Sequence, residues 1–228
     1  PYNTSVNSIV PSLLAGNCVI LKHSSQTPLC AEQLNKAAID SGLPEGVFQF
    51  LHLDHKSTSK IIGDNRIDHV LFTGSVTGGR QVKKAIGERF INAGLELGGK
   101  DPMVVMEDAN LDRAVSAATW GGFSNCGQTC ISVERIYVMD SIADTFIERL
   151  KKAVMELNIS DDKKSADIGS MINQKQKEMV KFFIREARKE VAIFHLDKNG
   201  GLKENSCFLS PTIIETNNKQ SQIMQSEI

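Results

Sequence analysis

Residues 69–79 read His-Val-Leu-Phe-Thr-Gly-Ser-Val-Thr-Gly-Gly, and this stretch contains the transition that decides the fold. A short apolar run ends at Phe72, a tight turn follows at Gly74 and Ser75, and we expect a helix from there to about Arg89. The first turn of a helix leaves backbone N–H groups without intrahelical partners, and these groups favour a bound phosphate. The stretch therefore predicts either a pyrophosphate cradle or a plain capped turn, because its glycines lack the G-x-G-x-x-G spacing.

The residues before this stretch repeat the same order of strand and helix. Short apolar runs predict strands and longer segments predict helices, in the alternating order 17–22, 27–40, 47–51 and 55–63. Thr27 and Pro28 have the residue types of a helix N-cap and a first helical position. Strands that alternate with helices at this spacing predict a doubly wound parallel sheet of the α/β class.

The pattern changes after Leu95, where a short strand runs into a glycine pair. Because the simple alternation stops there, the best domain boundary is Gly98–Gly99, which divides the chain into residues 1–98 and 99–228. In the second part we expect strands and helices at residues 103–106, 110–123, 133–139, 142–157 and 174–190.

The bulk properties are typical of a globular protein. Of 228 residues, 41% are hydrophobic and 23% are charged, and a net charge of -1 gives no reason to expect a nucleic-acid or anionic membrane partner. The longest apolar stretch, residues 9–21, is interrupted by Pro11 and Gly16 and does not predict a membrane span. Five cysteines, an odd number, favour a reducing, cytoplasmic compartment, and a targeting segment ahead of Pro1 is compatible with this.

The segment Asn-Cys-Gly-Gln-Thr-Cys at residues 125–130 is the sharpest local feature. A cysteine after a glycine-bearing loop can receive backbone N–H groups that stabilise a thiolate and an oxyanion, whereas most single cysteines are structural. Cys126 and Cys130 have no further ligands at zinc-finger spacing, so we expect no metal. If these residues form one helical turn, the two sulfurs share a face and could be joined by mild oxidants.

Glu96 is the second candidate for chemistry. It lies between Leu95 and Leu97 and is followed by two glycines, which leave room for close backbone approach. A carboxylate buried between leucines holds its proton to higher pH, as a general base near neutrality requires. From these residues alone, a solvated strand residue is the stronger interpretation.

Taken together, five ordered segments resemble the aldehyde dehydrogenase superfamily and extend over essentially the whole chain. The segments are VILKHSSQTP, FTGS, LELGGK, GQTC and QSEI, at residues 19–28, 72–75, 95–100, 127–130 and 225–228. Glu96 and Cys130 are thirty-four residues apart, and Cys130 and Glu227 are ninety-seven apart. Both separations match those of the family.

For the fold, the resemblance implies a Rossmann-like, doubly wound cofactor domain, an α/β catalytic domain and an oligomerisation arm. Residues 1–98 would be the C-terminal part of the cofactor domain, and residues 99–228 the catalytic domain, truncated at its C-terminal end. We expect both ends to be truncations, with the family's oxyanion asparagine ahead of Pro1, so that these 228 residues alone would be poorly active. The full-length protein is expected to be a homodimer or homotetramer that acts on a small-molecule aldehyde.

For the site, the resemblance implies that Cys130 attacks the aldehyde, that hydride passes to NAD or NADP, and that Glu96 activates water to release a carboxylic acid. The residues that it assigns to the cofactor are Lys22, Ser25, Gly74, Ser75 and Glu227. Many NAD-preferring members have an acidic residue at the position of Ser25, so we expect NADP to be used at least comparably with NAD.

Two other functions stay open at this point. A dehydrogenase that passes the acyl group to coenzyme A would not need Glu96, and a catalytically idle member that serves as a structural or binding protein would not need Cys130. Trp120, Phe123 and Tyr137 are candidates to line a substrate pocket, although core packing is the stronger interpretation for Trp120 and Tyr137.

Overall fold

The computed structural model of the chain describes residues 1–162, 164–190, 192–197 and 206–228. It divides the chain into two compact units, Pro1–Leu97 and Gly98–Ile228. The roles of residues 1–98 and 99–228 as cofactor and catalytic domains stay predictions.

The first unit alternates helices with short strands. In chain order its elements are α1 (Tyr2–Leu14), β1 (Val19–Leu21), α2 (Leu29–Asp40), β2 (Phe48–Phe50), α3 (His55–Ile62), β3 (Val70–Thr73), α4 (Val76–Ile86) and β4 (Ala93–Glu96). β1 pairs with β2 and β3 pairs with β4, both in parallel. Parallel strands need a long connection, and here each connection contains a helix, as predicted for the α/β class.

Local sequence determines where two of these helices begin. Asp54 accepts a hydrogen bond from the backbone nitrogen of Ser57 at 2.7 Å, and α3 starts at the next residue. Ser75 accepts one from the backbone nitrogen of Gly78 at 3.1 Å, and α4 starts at the next residue. Each side chain satisfies one of the N–H groups that the first helical turn leaves without a partner.

The starts of the other two helices differ from the prediction. α2 begins at Leu29 with Pro28 as its N-cap residue and no side-chain cap bond. The Thr27 hydroxyl, expected to cap the helix, lies 3.2 Å from Nδ1 of His23 instead. α1 was not predicted, because Pro11 interrupts the apolar stretch in which it lies.

The second unit contains two strand pairs of opposite kinds. Its elements are β5 (Asp101–Val105), α5 (Leu111–Phe123), a 3-10 turn (Ser124–Gly127), β6 (Val133–Val138), α6 (Asp140–Glu156), α7 (Gln174–Lys189), β7 (Ile193–Asp197), β8 (Thr212–Glu215) and α8 (Gln222–Gln225). β5 and β6 are parallel, whereas β7 and β8 form an antiparallel pair that the sequence did not predict. In the described ranges, no helix is both long enough and apolar enough to cross a membrane.

The hydrophobic core of the second unit lies where β5 packs against α5 and α6. Its most buried side chains include Val105, Ala118 and Phe146. Val104, next to Val105 on the same strand, is exposed, because successive side chains of a strand point to opposite faces. One face of the β5–β6 pair is therefore buried against these helices.

Candidate active site

The turn between β3 and α4 presents a helix N-terminus to solvent. The backbone nitrogen of Gly74 donates to the carbonyl oxygen of Glu96 at 3.0 Å, which ties the turn to the end of β4. Gly74 and Ser75 are both exposed, and the Ser75 hydroxyl is used as the N-cap acceptor for Gly78. The first-turn N–H groups and the helix dipole make this turn suitable for an anion such as a pyrophosphate.

The glycines of this turn have a packing role that the sequence did not reveal. A Cβ atom at Gly74 would lie 2.8 Å from the Cζ atom of Phe72, and one at Gly78 would lie 2.6 Å from it. Carbon atoms pack at about 3.5–4.0 Å, so side chains at either position would collide with the ring. These glycines are therefore explained by the ring of Phe72, and the anion-binding hypothesis rests on the helix N-terminus.

The predicted ribose-binding segment follows directly on β1. Lys22 is half-buried, and Ser25 is exposed in the turn that precedes α2. The neighbouring Ser24 shapes this turn, because its hydroxyl accepts from the backbone nitrogen of Gln26 at 3.3 Å and its carbonyl accepts from Thr27 at 3.1 Å. Ser25 therefore stands at an open position with no acidic side chain in its place.

Glu96 is the last residue of β4, and its side chain is exposed, while Leu95 and Leu97 are half-buried. The flanking leucines suggested that Glu96 would be buried, but within the first unit it is not. The structure thus agrees with the solvated-strand interpretation of this residue, and its role as a base stays a prediction.

The segment before Cys130 is a left-handed turn. Asn125, Cys126 and Gly127 have φ angles of 53°, 62° and 73°. The condition under which the two sulfurs would share a face, one helical turn through residues 126–130, is therefore not met. The Cys126 thiol instead donates to the carbonyl oxygen of Gly169 at 3.2 Å, and burial raises the pKa of this thiol.

Three side chains hold this turn. Asn125 and Gln128 bond reciprocally, each side-chain amide donating to the other's carbonyl at 3.0 Å. The side-chain oxygen of Gln128 accepts from the backbone nitrogen of Ile172 at 2.9 Å. Ser132 is buried and donates to the carbonyl of Gly121 at 3.0 Å. Cys130 itself is exposed, so a fixed backbone presents an accessible thiol.

The glycine pair at residues 98–99 gives space to two other predicted site segments. A Cβ atom at Gly99 would overlap the carbonyl oxygen of Cys130, and one at Gly98 would overlap the carboxylate of Glu227. Real Cβ atoms cannot come so close to such atoms. The glycines therefore allow the Cys130 turn and Glu227 to approach the segment that leads into β5.

A buried ion pair was missed by the sequence reasoning. Nζ of Lys100 lies 2.5 Å from Oε2 of Glu134, and the two side chains are only 9% and 11% exposed. The same Oε2 accepts from the backbone nitrogen of Ile228 at 3.2 Å. Burial lowers the pKa of Lys100 and raises the pKa of Glu134, while their mutual hydrogen bond opposes both shifts. Two adjacent charged residues, Glu134 and Arg135, in the short strand β6 were the available signal.

The three aromatic residues proposed to line a substrate pocket differ in exposure. Trp120 is 74% exposed, so the core-packing interpretation for this residue is wrong, and Tyr137 is 40% exposed. Phe123 packs against the core. A cavity of about 480 Å³ in the second unit is lined by residues that include Phe123, Cys126 and Tyr137, and Cys130 does not line it. Among the described residues, no group of three or more His, Cys, Asp or Glu side chains could hold a metal ion.

Comparison with known proteins identifies the family. The model of the Aldehyde dehydrogenase family matches residues 1–228, and the chain therefore belongs to the aldehyde dehydrogenase family. A D-glyceraldehyde dehydrogenase (NADP(+)) from Picrophilus torridus is 34% identical over all of this chain and 47% of its own length. This chain spans about half the length of the curated relatives it matches.

Solved structures of related enzymes share the fold. The structure of lactaldehyde dehydrogenase is 30% identical, with a TM-score of 0.93 over all of this chain and 48% of that chain. The structure of 3,6-anhydro-L-galactose dehydrogenase in complex with NAP is 30% identical, with a TM-score of 0.89 over 96% of this chain and 47% of that chain. These matches confirm the predicted α/β fold of the aldehyde dehydrogenase type.

Proposed function

We propose that the whole protein oxidises an aldehyde to a carboxylic acid with NADP or NAD, with Cys130 as the nucleophile and Glu96 as the general base. Membership of the aldehyde dehydrogenase family supports the reaction class. The observation that carries the assignment of Cys130 is its exposure on a turn whose backbone is fixed by buried and reciprocal hydrogen bonds. Fixed geometry is what a nucleophile needs to reach a carbonyl carbon in a productive orientation.

The chemistry assigned to these residues is the following. The Cys130 thiolate adds to the aldehyde carbonyl carbon, and the new alkoxide is stabilised by the backbone nitrogen of Cys130. NADP or NAD, when bound, would supply the acceptor for the hydride that this adduct loses as it becomes a thioester. Glu96 then takes a proton from the water that attacks the thioester, which releases the carboxylic acid and returns the thiolate.

The residues proposed to hold the cofactor fit it in two respects. The open N-terminus of α4, at Gly74 and Ser75, suits the pyrophosphate. Lys22 and Ser25 follow β1, where a hydroxyl in place of a carboxylate leaves a 2′-phosphate unopposed. Glu227 is assigned to the nicotinamide ribose.

Replacing the nucleophile tests the proposal. In the whole protein, Cys130→Ser should abolish aldehyde oxidation and leave the dissociation constant of NADP nearly unchanged, whereas the matched variant Cys126→Ser should keep turnover. A Cys130→Ser enzyme that retains more than a small fraction of turnover would remove Cys130 from the mechanism. Product analysis in the same assay distinguishes free acid from acyl-coenzyme A.

The base is tested separately. Glu96→Gln should let a covalent acyl-enzyme accumulate after mixing with aldehyde and cofactor, because its hydrolysis has lost the proton acceptor. Intact-protein mass spectrometry would show the added mass. Unmodified protein with a normal steady-state rate would show that Glu96 is structural.

Cofactor choice follows from Ser25. The variant Ser25→Glu should shift the preference toward NAD by about 1 kcal/mol or more, because a carboxylate would repel the 2′-phosphate. Ser25→Gln has the same size without the charge and should shift it less. If the ratio of kcat/KM for NADP to kcat/KM for NAD is the same in wild type and in Ser25→Glu, this assignment is contradicted.

A further inference from the structure

We propose that Lys100 and Glu134 are positioning residues that hold Glu227 in the orientation the cofactor requires. This inference rests on the proposed function, which places Glu227 at the nicotinamide ribose. Three chain segments of the second unit carry these residues: the residue before β5, the start of β6 and the segment Ser226–Ile228.

The contacts converge on one oxygen atom. Oε2 of Glu134 accepts from Nζ of Lys100 at 2.5 Å and from the backbone nitrogen of Ile228 at 3.2 Å. The N–H of Ile228 belongs to the planar peptide group that joins it to Glu227. A bond to this N–H therefore orients the peptide group that contains the Cα atom of Glu227.

The space for Glu227 is created on the same side. Its carboxylate occupies the position that a side chain at Gly98 would need. Lys100 follows Gly98 by two residues, and its carbonyl accepts from Nη2 of Arg135 at 2.5 Å, so the backbone here is tied to β6. Gly98 admits the carboxylate while Glu134 orients the peptide that carries it.

In this cluster one cation interacts with two carboxylates. Lys100 is attracted both by Glu134, with which it bonds, and by Glu227, whereas the two carboxylates repel each other. The Lys100–Glu134 pair is almost fully buried, and a buried ion pair contributes little net stability compared with apolar residues of similar volume. Stability alone therefore gives a weak reason for this pair, whereas its bond to the Ile228 nitrogen gives it a part in orienting the Glu227 segment.

A double replacement separates orientation from stability. Lys100→Met combined with Glu134→Leu removes both charges together, so neither is left buried and unpaired, and the fold should persist. In the whole protein this variant should raise the KM for NADP about tenfold, as a displaced positioning group does, and leave the KM for aldehyde nearly unchanged. Asp112→Asn, which breaks the exposed pair with Arg149, is the matched control and should change neither constant.

A double-mutant cycle with Glu227→Gln tests whether the double replacement acts on cofactor binding through Glu227. Glu227→Gln alone should raise the KM for NADP, and adding the double replacement to it should raise that KM by less than about twofold, because coupled residues are not additive. If Glu227→Gln leaves all cofactor constants unchanged, the proposed role of Glu227 fails. If Glu227→Gln raises the KM for NADP while the double replacement does not, or if the effects add in full, the positioning proposal is overturned and the proposed function stands.

A milder variant keeps the test decisive if the double replacement does not fold. Glu134→Asp keeps the charge that binds Lys100, so no buried charge is left unpaired, but its shorter side chain withdraws the carboxylate from the backbone nitrogen of Ile228. It should raise the KM for NADP about threefold, the effect expected for one weakened hydrogen bond. An unchanged KM with a lowered melting temperature would show that the pair serves stability only.

Discussion

The turn at residues 73–78 in the first unit and the turn at residues 125–132 in the second unit are both predicted to meet ligands, and they are built in different ways. The first is a regular helix start, in which Ser75 caps a backbone nitrogen three residues later. The second has three successive residues with positive φ, of which Asn125 and Cys126 are not glycine. Such a residue costs about 1 kcal/mol or more, so other contacts must compensate.

The compensating contacts come from distant parts of the chain. The Cys130 turn bonds to Gly121, Gly169 and Ile172, and its carbonyl packs against Gly99. The Ser75 turn relies mainly on a bond within itself, with one tie to the end of β4. Changes remote in sequence should therefore disturb the nucleophile strongly and the cofactor turn weakly.

The largest effect is expected at Gly99. Gly99→Ala would place a methyl group on the carbonyl oxygen of Cys130, so the turn must shift. A displacement of about 1 Å can lower kcat about a hundredfold, while NADP binding should stay nearly unchanged. Gly169→Ala, where a Cβ meets nothing within 4 Å, is the control. Equal activity of the two variants would show that the close approach at Gly99 does not position the thiol.

A smaller effect is expected at Gln128. Gln128→Ala removes the acceptor for the Ile172 nitrogen and one half of the reciprocal pair with Asn125. The loss should be about 1 kcal/mol, which corresponds to a fall in kcat of about fivefold if the turn loosens in proportion. The rate of Cys130 alkylation by iodoacetamide should change with it. Gln49→Ala, which removes a local bond in the first unit, should leave both rates as in wild type.

Removal of a cap compares the two units directly. Ser75→Ala and Asn110→Ala each remove an N-cap acceptor, from Gly78 and Arg113 respectively. Each should lower the stability by about 1 kcal/mol in thermal or denaturant unfolding. Only Ser75→Ala should also weaken NADP binding. An equal loss of NADP affinity in both variants would place the effect in general stability and not at the turn.

The smallest effect is a pH dependence at Asp54. The hydrogen bond from Ser57 lowers the pKa of this carboxyl below its ordinary value. A lowered folded-state pKa means that the stabilisation is present above the ordinary value and is lost as the pH falls through the lowered one. The stability difference between wild type and Asp54→Asn should therefore be constant near neutrality and shrink in acid. A difference that grows on acidification would contradict the assignment.

The sequence-based predictions succeeded more often for features that depend on residues close together in the chain. Ser75 and Asn110 were correctly placed at helix starts, because a cap bond joins residues three apart. Thr27 is an exception at short range: it was placed wrongly, since its hydroxyl bonds to His23, four residues away, instead of capping the helix. The antiparallel pair β7–β8 was not predicted, because strand pairing depends on which segments meet in space.

The sequence by itself determined the family, the α/β class and the order of the candidate site residues along the chain, because motifs, periodicity and caps are written in neighbouring residues. Only the tertiary structure decided the left-handed turn before Cys130, the hydrogen bond of the Cys126 thiol to Gly169 and the close approach of the Glu227 carboxylate to Gly98. It also decided the burial of Lys100 with Glu134. These features depend on atoms far apart in sequence, whose contacts outweigh local backbone preferences only after the fold has brought them together.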